Sequence, residues 1–473
     1  MASSAGGGRY GHWLLDAAGL PAYAYTLDQL ADKPQPSGAW AGEPASTSPV
    51  RSSLEHTFQL GNNRVVAIAT NFGACRIRQD EGSPKVLNDA QTGNATGMQF
   101  GGGFGHLTDA GDATLLLTTY FNGGAGRDRR FGVGYAATSA MADRLLVNHT
   151  TAVPAGDAPV ALVQVEVRNL GTARRRVRWA EVWGSLMAHL DPDWARLGMT
   201  SSEFSASHYS SSWERHPWGV LHRRRWRGLT STEQERFNQL YTYPRAPGDG
   251  MWDERPPVVF LAAAGAAGAP DPSLLVANDA GAYFAAGGAA APAGGLRFDA
   301  RVPEAAAALI ASRQLELEPN GVGRLNFVYG YLPHDSNASA VESLVESQRP
   351  LLDSSSPLAH VVAAGWAARL PNMSMASTPW LGRETAWHAY YLQGGITYDS
   401  YREAHIVDQG TVYRPGRRTR PGPARAPSHR AAAQRCCRCH PVHGPVDVRQ
   451  RDECRPFPPC AAAVCAVRPG SHR

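Results

Sequence analysis

The chain has 473 residues, 43% hydrophobic and 18% charged, which is long enough for two or three domains that each bury a core. No window offers the roughly 18 uncharged apolar residues of a membrane-spanning helix, and neither a glycine period nor sustained heptads point to collagen or a coiled coil. The formal charge of +5 averages two unlike parts: residues 414–473 hold 13 Arg against Asp447, Asp452 and Glu453, while the remainder holds 33 Lys+Arg against 38 Asp+Glu. The body is therefore mildly acidic, and a nucleic-acid partner read from overall basicity is an artefact of averaging.

Cysteine divides the same way. Cys75 is the only one before Cys436, and the other five follow in the tail. A body without paired cysteines suits a reducing, cytoplasmic compartment. The N-terminal residues lack the basic stretch and apolar core of a secretory signal. Sequons at Asn94, Asn148, Asn337 and Asn372 would matter only in a secreted protein.

Residues 1–52, rich in Gly, Ala, Ser and Pro, read as a loose lead-in. From His56 the pattern is β, with short runs at Arg64–Ala69 and Cys75–Gln79 around a turn at Asn71–Gly73. A hairpin is expected over residues 160–183. Val163, Val165 and Val167 alternate with Gln164, Glu166 and Arg168; Asn169–Thr172 turns; and Val177, Trp179, Glu181 and Trp183 share a face of the return strand. A second hairpin is expected over 314–331, turning at Pro319-Asn320-Gly321. Between them, the Ala- and Gly-rich residues 261–300 read as a padded loop, because their prolines oppose a long helix. Helical spacing begins near residue 338, over Ser339–Gln348 and Ser356–Leu370. Residues 380–404 read as an aromatic-rich helix, interrupted at Gly394-Gly395. Residues 414–473 have ten Pro, one aromatic (Phe457) and no Leu or Ile, too little apolar area to offset chain entropy, so a disordered tail is expected.

Several motifs weigh less than they first suggest. The glycines of Gly101–His106 lack the strand–turn–helix setting of a phosphate loop and read as a close backbone approach. His222–Arg227 reads as a solvated strand or loop face. Cys436, Cys437, Cys439 and His440 lack paired zinc-ligand spacing, so no metal is expected. The aromatics Trp380, Trp387, Tyr390, Tyr391, Tyr398 and Tyr401 admit two readings: platforms for sugar rings, or packing of a helix on the β domain. Asp408-Gln409 pairs a carboxylate with an amide, which can bracket vicinal sugar hydroxyls. No pair of glycosidase carboxylates can be picked from 41 acids, and the catalytic residues stay unassigned.

The stretches HTFQLGNNRVVAIATNFGACRIR, RRFGVGYAATSAM, VQVEVRNLGTARRRVRWAEVWGS and LNFVYGYLP, followed by TPWLGRETAWHAYYLQGGITYDSYREAHIVDQGTVY, resemble glycoside hydrolase family 94 and its glycosyltransferase-36-type relatives. These are cellobiose and chitobiose phosphorylases and the phosphorylase-like module of cyclic β-1,2-glucan synthases. The resemblance spans about residues 50–413. It implies a mainly β chain: an antiparallel β-supersandwich over 53–337, a helical linker over 338–379, and the first helices of an (α/α)6 catalytic barrel over 380–413. It also implies inverting phosphorolysis of a β-glucosidic bond, with an Asp as general acid and inorganic phosphate as co-substrate but no cofactor.

Asp408-Gln409 falls where the family has an Arg-Asp-Gln sugar-contacting motif, with Val407 in place of the Arg. Trp387, Tyr390, Asp408 and Gln409 are accordingly the expected substrate-binding residues. The general-acid Asp of the family lies beyond the matching region, so no residue inherits that role. Codons permitted by Arg418–Pro427, read one nucleotide later, spell a family-like continuation, so the tail reads as an out-of-frame segment and the barrel as truncated. The expectation is the N-terminal portion of a glycoside phosphorylase or hydrolase for an oligosaccharide or β-glucan, inactive as written. The alternative is a non-catalytic carbohydrate-binding or homodimer-forming module. Neither nucleic acid nor membrane is an expected partner.

Overall fold

The strands Val160–Asn169 and Arg175–Gly184 do not pair with each other. The first bonds to Leu145–Ala152 and Val322–Leu332, the second to Ala307–Leu317 and Gly102–Asp109. The chain thus crosses between two sheets at residues 170–174, and crosses back at 318–321. Both expected hairpins are replaced by arches. The physical reason is that alternation fixes which face of a strand is buried, not which neighbour it bonds. In an arch the two apolar faces oppose each other across the core: Trp183 of the second strand stacks on Tyr329 of the opposite sheet at 4.3 Å between ring centroids.

Asn169 joins the two crossings. Its Nδ2 donates to the carbonyls of Ala173 (2.7 Å), Glu318 (3.1 Å) and Leu317 (3.2 Å), and its Oδ1 accepts from the Gly171 N–H. The second crossing turns at Asn320, whose φ of 60° is tolerated by Asn better than by most residues.

The structure, a computed structural model, describes residues 11–25, 56–71, 73–79, 85–91, 99–109, 114–117, 128–189, 197–199, 201–240, 252–265, 272–284, 295–373, 377–399 and 403–407. They are mainly β, and every strand pairing is antiparallel. One sheet has ten strands, in the order Gly11–Leu15, Pro21–Tyr25, Asp128–Gly132, Tyr135–Ala142, Leu145–Ala152, Val160–Asn169, Val322–Leu332, Val258–Ala264, Gly219–Trp226 and Tyr209–His216. A five-stranded sheet runs Leu275–Asp279, Ala307–Leu317, Arg175–Gly184, Gly102–Asp109 and Thr114–Leu117. A six-stranded sheet holds Leu186–His189, Lys85–Gln91, Cys75–Gln79, Val66–Thr70 and Thr57–Gly61, with Gln99–Phe100 beside Lys85–Gln91. One hydrophobic cluster draws buried side chains from all three, including Leu60, Val165, Trp183 and Phe327.

Residues 11–25, expected within the loose lead-in, form a hairpin on the edge of the ten-stranded sheet. Ala22 and Ala24 of that hairpin are buried, so small side chains fit where bulk was the anticipated signal. Within 261–300, expected as loop, the chain forms Leu275–Asp279 and the helix Ala280–Phe284, which buries Tyr283 and Phe284 beneath Phe104. The Gly101–His106 run is a strand in close approach: a Cβ on Gly102 would lie 2.5 Å from Trp183 Cα. His222–Trp226 belong to the strand Gly219–Trp226, with Arg227 just beyond it, and only alternate residues face out. His222 and Arg224 are buried, and Arg224 pairs with Glu304 at 2.7 Å.

The helices Ala338–Ser347, Arg349–Leu352, Leu358–Ala367 and Pro379–Gly394 follow the last strand of the large sheet. The last of them stops at Gly394, and residues 396–404, expected to continue it, begin the hairpin Ile396–Asp399 with Ala404–Val407. No described helix is long and apolar enough to cross a membrane. The tail and Asp408-Gln409 lie outside the described residues.

Candidate functional site

Two of the four expected sugar-contacting residues are packed into the fold. Tyr390 has no exposed surface, and its hydroxyl accepts from the Gly61 N–H at 3.1 Å. Trp387 stacks on Phe58 at 4.4 Å and meets the edge of Trp13 at 4.8 Å. Both pack the helix Pro379–Gly394 against the β domain. Asp408 and Gln409 lie outside the described residues.

A small, half-open cleft of about 20 Å3 lies elsewhere, between the ten-stranded sheet and residues 69–71 and 73–75. Its floor follows from strand register. Arg129 faces Thr138, which faces His149; two residues along, Phe131 faces Ala136, which faces Thr151. Residues in register on neighbouring strands point to the same side, so each row is a continuous strip of side chains. With strands about 4.8 Å apart, a three-strand row is roughly 10 Å long. The strip carries a guanidinium, two hydroxyls, an imidazole and one aromatic ring, and Asn71 covers it from the turn.

Behind the floor sits a fully buried carboxylate. Glu181 accepts from Trp183 Nε1 at 3.0 Å and Trp179 Nε1 at 3.2 Å, and meets His149 Nε2 at 3.2 Å. Glu181 and both tryptophans come from one face of Arg175–Gly184, two residues apart. His149 comes from the opposite sheet. A buried carboxylate needs its lone pairs met, and three N–H donors meet them. The arrangement gives His149 a fixed orientation: Nε2 carries the hydrogen toward Glu181, and Nδ1 is the remaining nitrogen.

Cys75 also lines the cleft. Burial, and secondarily the Glu181 charge, push its thiol up to about 12, so it is held as a thiol and not a nucleophile. Among the described residues, no three His, Cys, Asp or Glu side chains converge as a metal site would need.

The sequence carried one signal for this site. An acid shares the apolar face of Val177, Trp179 and Trp183, and an acid there needs donors, which indole N–H groups supply. His149 gave no such signal, because its partner lies on a strand in another sheet.

No family model matches the chain, and no curated protein matches it. Solved structures show distant likenesses. A chain provisionally assigned as a kojibiose phosphorylase, from the human microbiome, is 7% identical with a TM-score of 0.41, over 82% of this chain and 43% of that one. An aldose epimerase homologue from Caenorhabditis elegans is 9% identical with a TM-score of 0.29, over 59% of this chain and 99% of that one. A heparan sulfate lyase from Pedobacter heparinus is 8% identical with a TM-score of 0.25, over 59% of this chain and 37% of that one. The chain spans less than half the length of the first of these.

Proposed function

We propose that this chain is a carbohydrate-active protein whose β-supersandwich meets the polar edge of a sugar at the small cleft floored by Arg129, Thr138, His149 and Thr151. One observation carries the reading: two cross-strand rows bring the hydroxyls of Thr138 and Thr151, the imidazole of His149 and the guanidinium of Arg129 to one small cleft. Recognition of sugar hydroxyls uses converging hydrogen-bonding groups of this kind.

Within that reading the chain is the N-terminal part of a glycoside phosphorylase or hydrolase for β-linked glucosides in an oligosaccharide or β-glucan. Inorganic phosphate is the co-substrate where the bond is phosphorolysed. Asp408 and Gln409 form a second sugar-contacting element, ahead of a barrel that supplies the general acid. The sequence resemblance over residues 50–413 supports this finer assignment. A non-catalytic binding module is the alternative, and it predicts the same cleft without turnover.

Calorimetric titration of the full chain with cello-oligosaccharides and β-1,2-glucan fragments tests the reading. Saturable binding that is weakened by Thr151→Val supports it. Binding that ignores Thr151→Val but vanishes in Asp408→Ala would move the sugar away from the cleft. Phosphorolysis or hydrolysis assays on the same preparations separate enzyme from binding module.

A further inference from the structure

His208 closes the helix Ser201–His208, and its ring is stacked on Phe204 at 4.4 Å and on Trp226 at 5.7 Å, in a small core separate from the main one. Only 3% of the residue is exposed. Both ring nitrogens meet acceptors. Nδ1 lies 3.0 Å from the Phe204 carbonyl oxygen, one turn back, and Nε2 lies 3.0 Å from Glu233 Oε2. A carbonyl oxygen and an ionised carboxylate cannot donate, so each contact needs an N–H on the ring. A neutral imidazole has one N–H and would set a lone pair against an oxygen at its other end; the imidazolium satisfies both. Its charge also suits the C-terminal turn of a helix. Glu233 sits where it can receive that charge. It forms a capping box at the start of the helix Ser231–Leu240: Oε2 accepts from the Thr230 N–H and hydroxyl, both at 2.8 Å, and the Glu233 N–H donates to Thr230 Oγ1 at 3.3 Å. Burial works against the carboxylate, but the bonds from His208 and Thr230 prevail and hold Glu233 below its usual range. One oxygen therefore caps one helix and binds the last residue of another.

We infer that His208 and Glu233 form a charged latch, which fastens the helix Ser231–Leu240 to the small aromatic core and is released when the imidazolium loses a proton. The other charged groups packed nearby point elsewhere. Arg236 Nη1 donates to the Leu197 carbonyl at 3.3 Å. Arg227 bonds the His208 carbonyl through its backbone N–H, and its side chain, like those of Arg225 and Glu203, is exposed. Lys85, Asp253 and Arg224 act on His189, a ring that borders Phe204. The Tyr209 hydroxyl donates to the Asp253 carbonyl at 2.8 Å. The latch needs imidazolium and carboxylate together. At the acid end it is lost only as pH falls through the lowered range of Glu233, and at the other end it is lost as pH rises and His208 becomes neutral.

The test is a double-mutant cycle on the full chain, with His208→Gln, Glu233→Gln and both together. Each protein is unfolded in urea at about pH 6 and about pH 9, on either side of the ordinary histidine range. Glu233→Gln keeps an amide oxygen for the Thr230 box, and near-UV circular dichroism checks that each variant folds. The expected result is a coupling between the two positions that is at least about threefold larger at the lower pH. Tryptophan emission gives a second readout, because an imidazolium stacked on Trp226 quenches an excited indole more than a neutral ring does. The emission of the parent should rise in one step between the two pH values, and that of His208→Gln should lack the step. If His208→Gln does not fold, Glu233→Gln alone carries the test: its urea midpoint should fall well below that of the parent at about pH 6 and approach it at about pH 9. A coupling that changes by less than this overturns the inference, since it would mean a neutral ring donating one N–H. Absence of coupling at the lower pH, or parallel emission from parent and His208→Gln, overturns it as well.

Discussion

Glu181 and His149 meet at 3.2 Å across the interior of the sandwich, one from each of two facing sheets. Trp179 and Trp183 complete the environment of the carboxylate from the same strand face. Glu181→Leu would leave two indole N–H groups and an imidazole buried without their acceptor. The expected loss is about 3 kcal/mol or more, whereas Glu181→Gln, which keeps one acceptor oxygen, should lose about half as much. Urea denaturation of the two variants gives the comparison; similar stabilities for leucine and parent would contradict the role given to the carboxylate.

Asn169 supports a second expectation. One amide spans both crossings between the sheets, bonding to carbonyls at 2.7, 3.1 and 3.2 Å. Asn169→Ala strands three buried or partly buried carbonyls and should cost about 2–4 kcal/mol. Asn169→Asp has no amide N–H to offer and should recover little of this. The denaturation midpoint is the measurement, and a shift of under about 0.5 kcal/mol would mean that water replaces the amide.

The helix Pro379–Gly394 touches the β domain at a point with no room to spare. A Cβ on Gly61 would lie 1.8 Å from the Gly394 carbonyl oxygen. Gly61→Ala should therefore displace the end of the helix, loosen the Trp387–Phe58 stack and red-shift tryptophan emission. Tyr390→Phe removes the hydroxyl's bonds to the Gly61 and Gly134 backbone and should cost about 1–2 kcal/mol with the emission unchanged. Unchanged emission in Gly61→Ala would show that the helix is held elsewhere.

His189 links stability to acid. Burial, and next the charge of Lys85, lower its affinity for a proton to about 3, while its Nε2 accepts from the Asp253 N–H at 3.2 Å. Asp253 opposes the shift, and Arg224 adds to it. The folded state thus keeps His189 neutral over a range where the unfolded chain, with an ordinary histidine value near 6.5, takes up a proton. Stability from this group is whole above about pH 6.5 and is lost as pH falls toward about 3, by up to roughly 5 kcal/mol. His189→Gln keeps an acceptor for Asp253 but has no proton to take up, so its stability should fall less steeply between pH 6 and pH 4. Parallel acid limbs for the variant and the parent would contradict this assignment.

The sequence made the β character, the buried faces and the change to helices near residue 338 legible, because each leaves a period in the residue pattern. Partner choice left no such trace. Val163 and Trp179 were correctly placed on inward faces, yet their strands bond to Phe327 and Arg313 at matching register, not to one another. Alternation contains no term for that choice. Arg224 illustrates a related blind spot: among five basic or aromatic neighbours it looked solvated, and the approach of Glu304, with the carbonyls of Ser185 and Leu87, makes its burial tolerable. Trp387 and Tyr390 were visible as a pair on one helix, but whether that face meets a sugar or a sheet depends on Phe58 and Gly61, far away in sequence. The cleft row Arg129–Thr138–His149 was hidden for the same reason, since it exists only once three strands stand in register.

The paired crossings also bear on how the chain reaches its native state. Val160–Asn169 is flanked by a strand just before it and by Val322–Leu332, and Arg175–Gly184 receives Ala307–Leu317 from an equally remote stretch. On a ribosome, the middle of the sandwich would emerge long before its later bonding partners, with Trp183 still lacking Tyr329. Loop closure over such distances is slow compared with local hairpin formation. Expression at lowered temperature, or with a holdase chaperone to shelter those early strands, should raise the soluble yield more than any change made to the helices at residues 338–394.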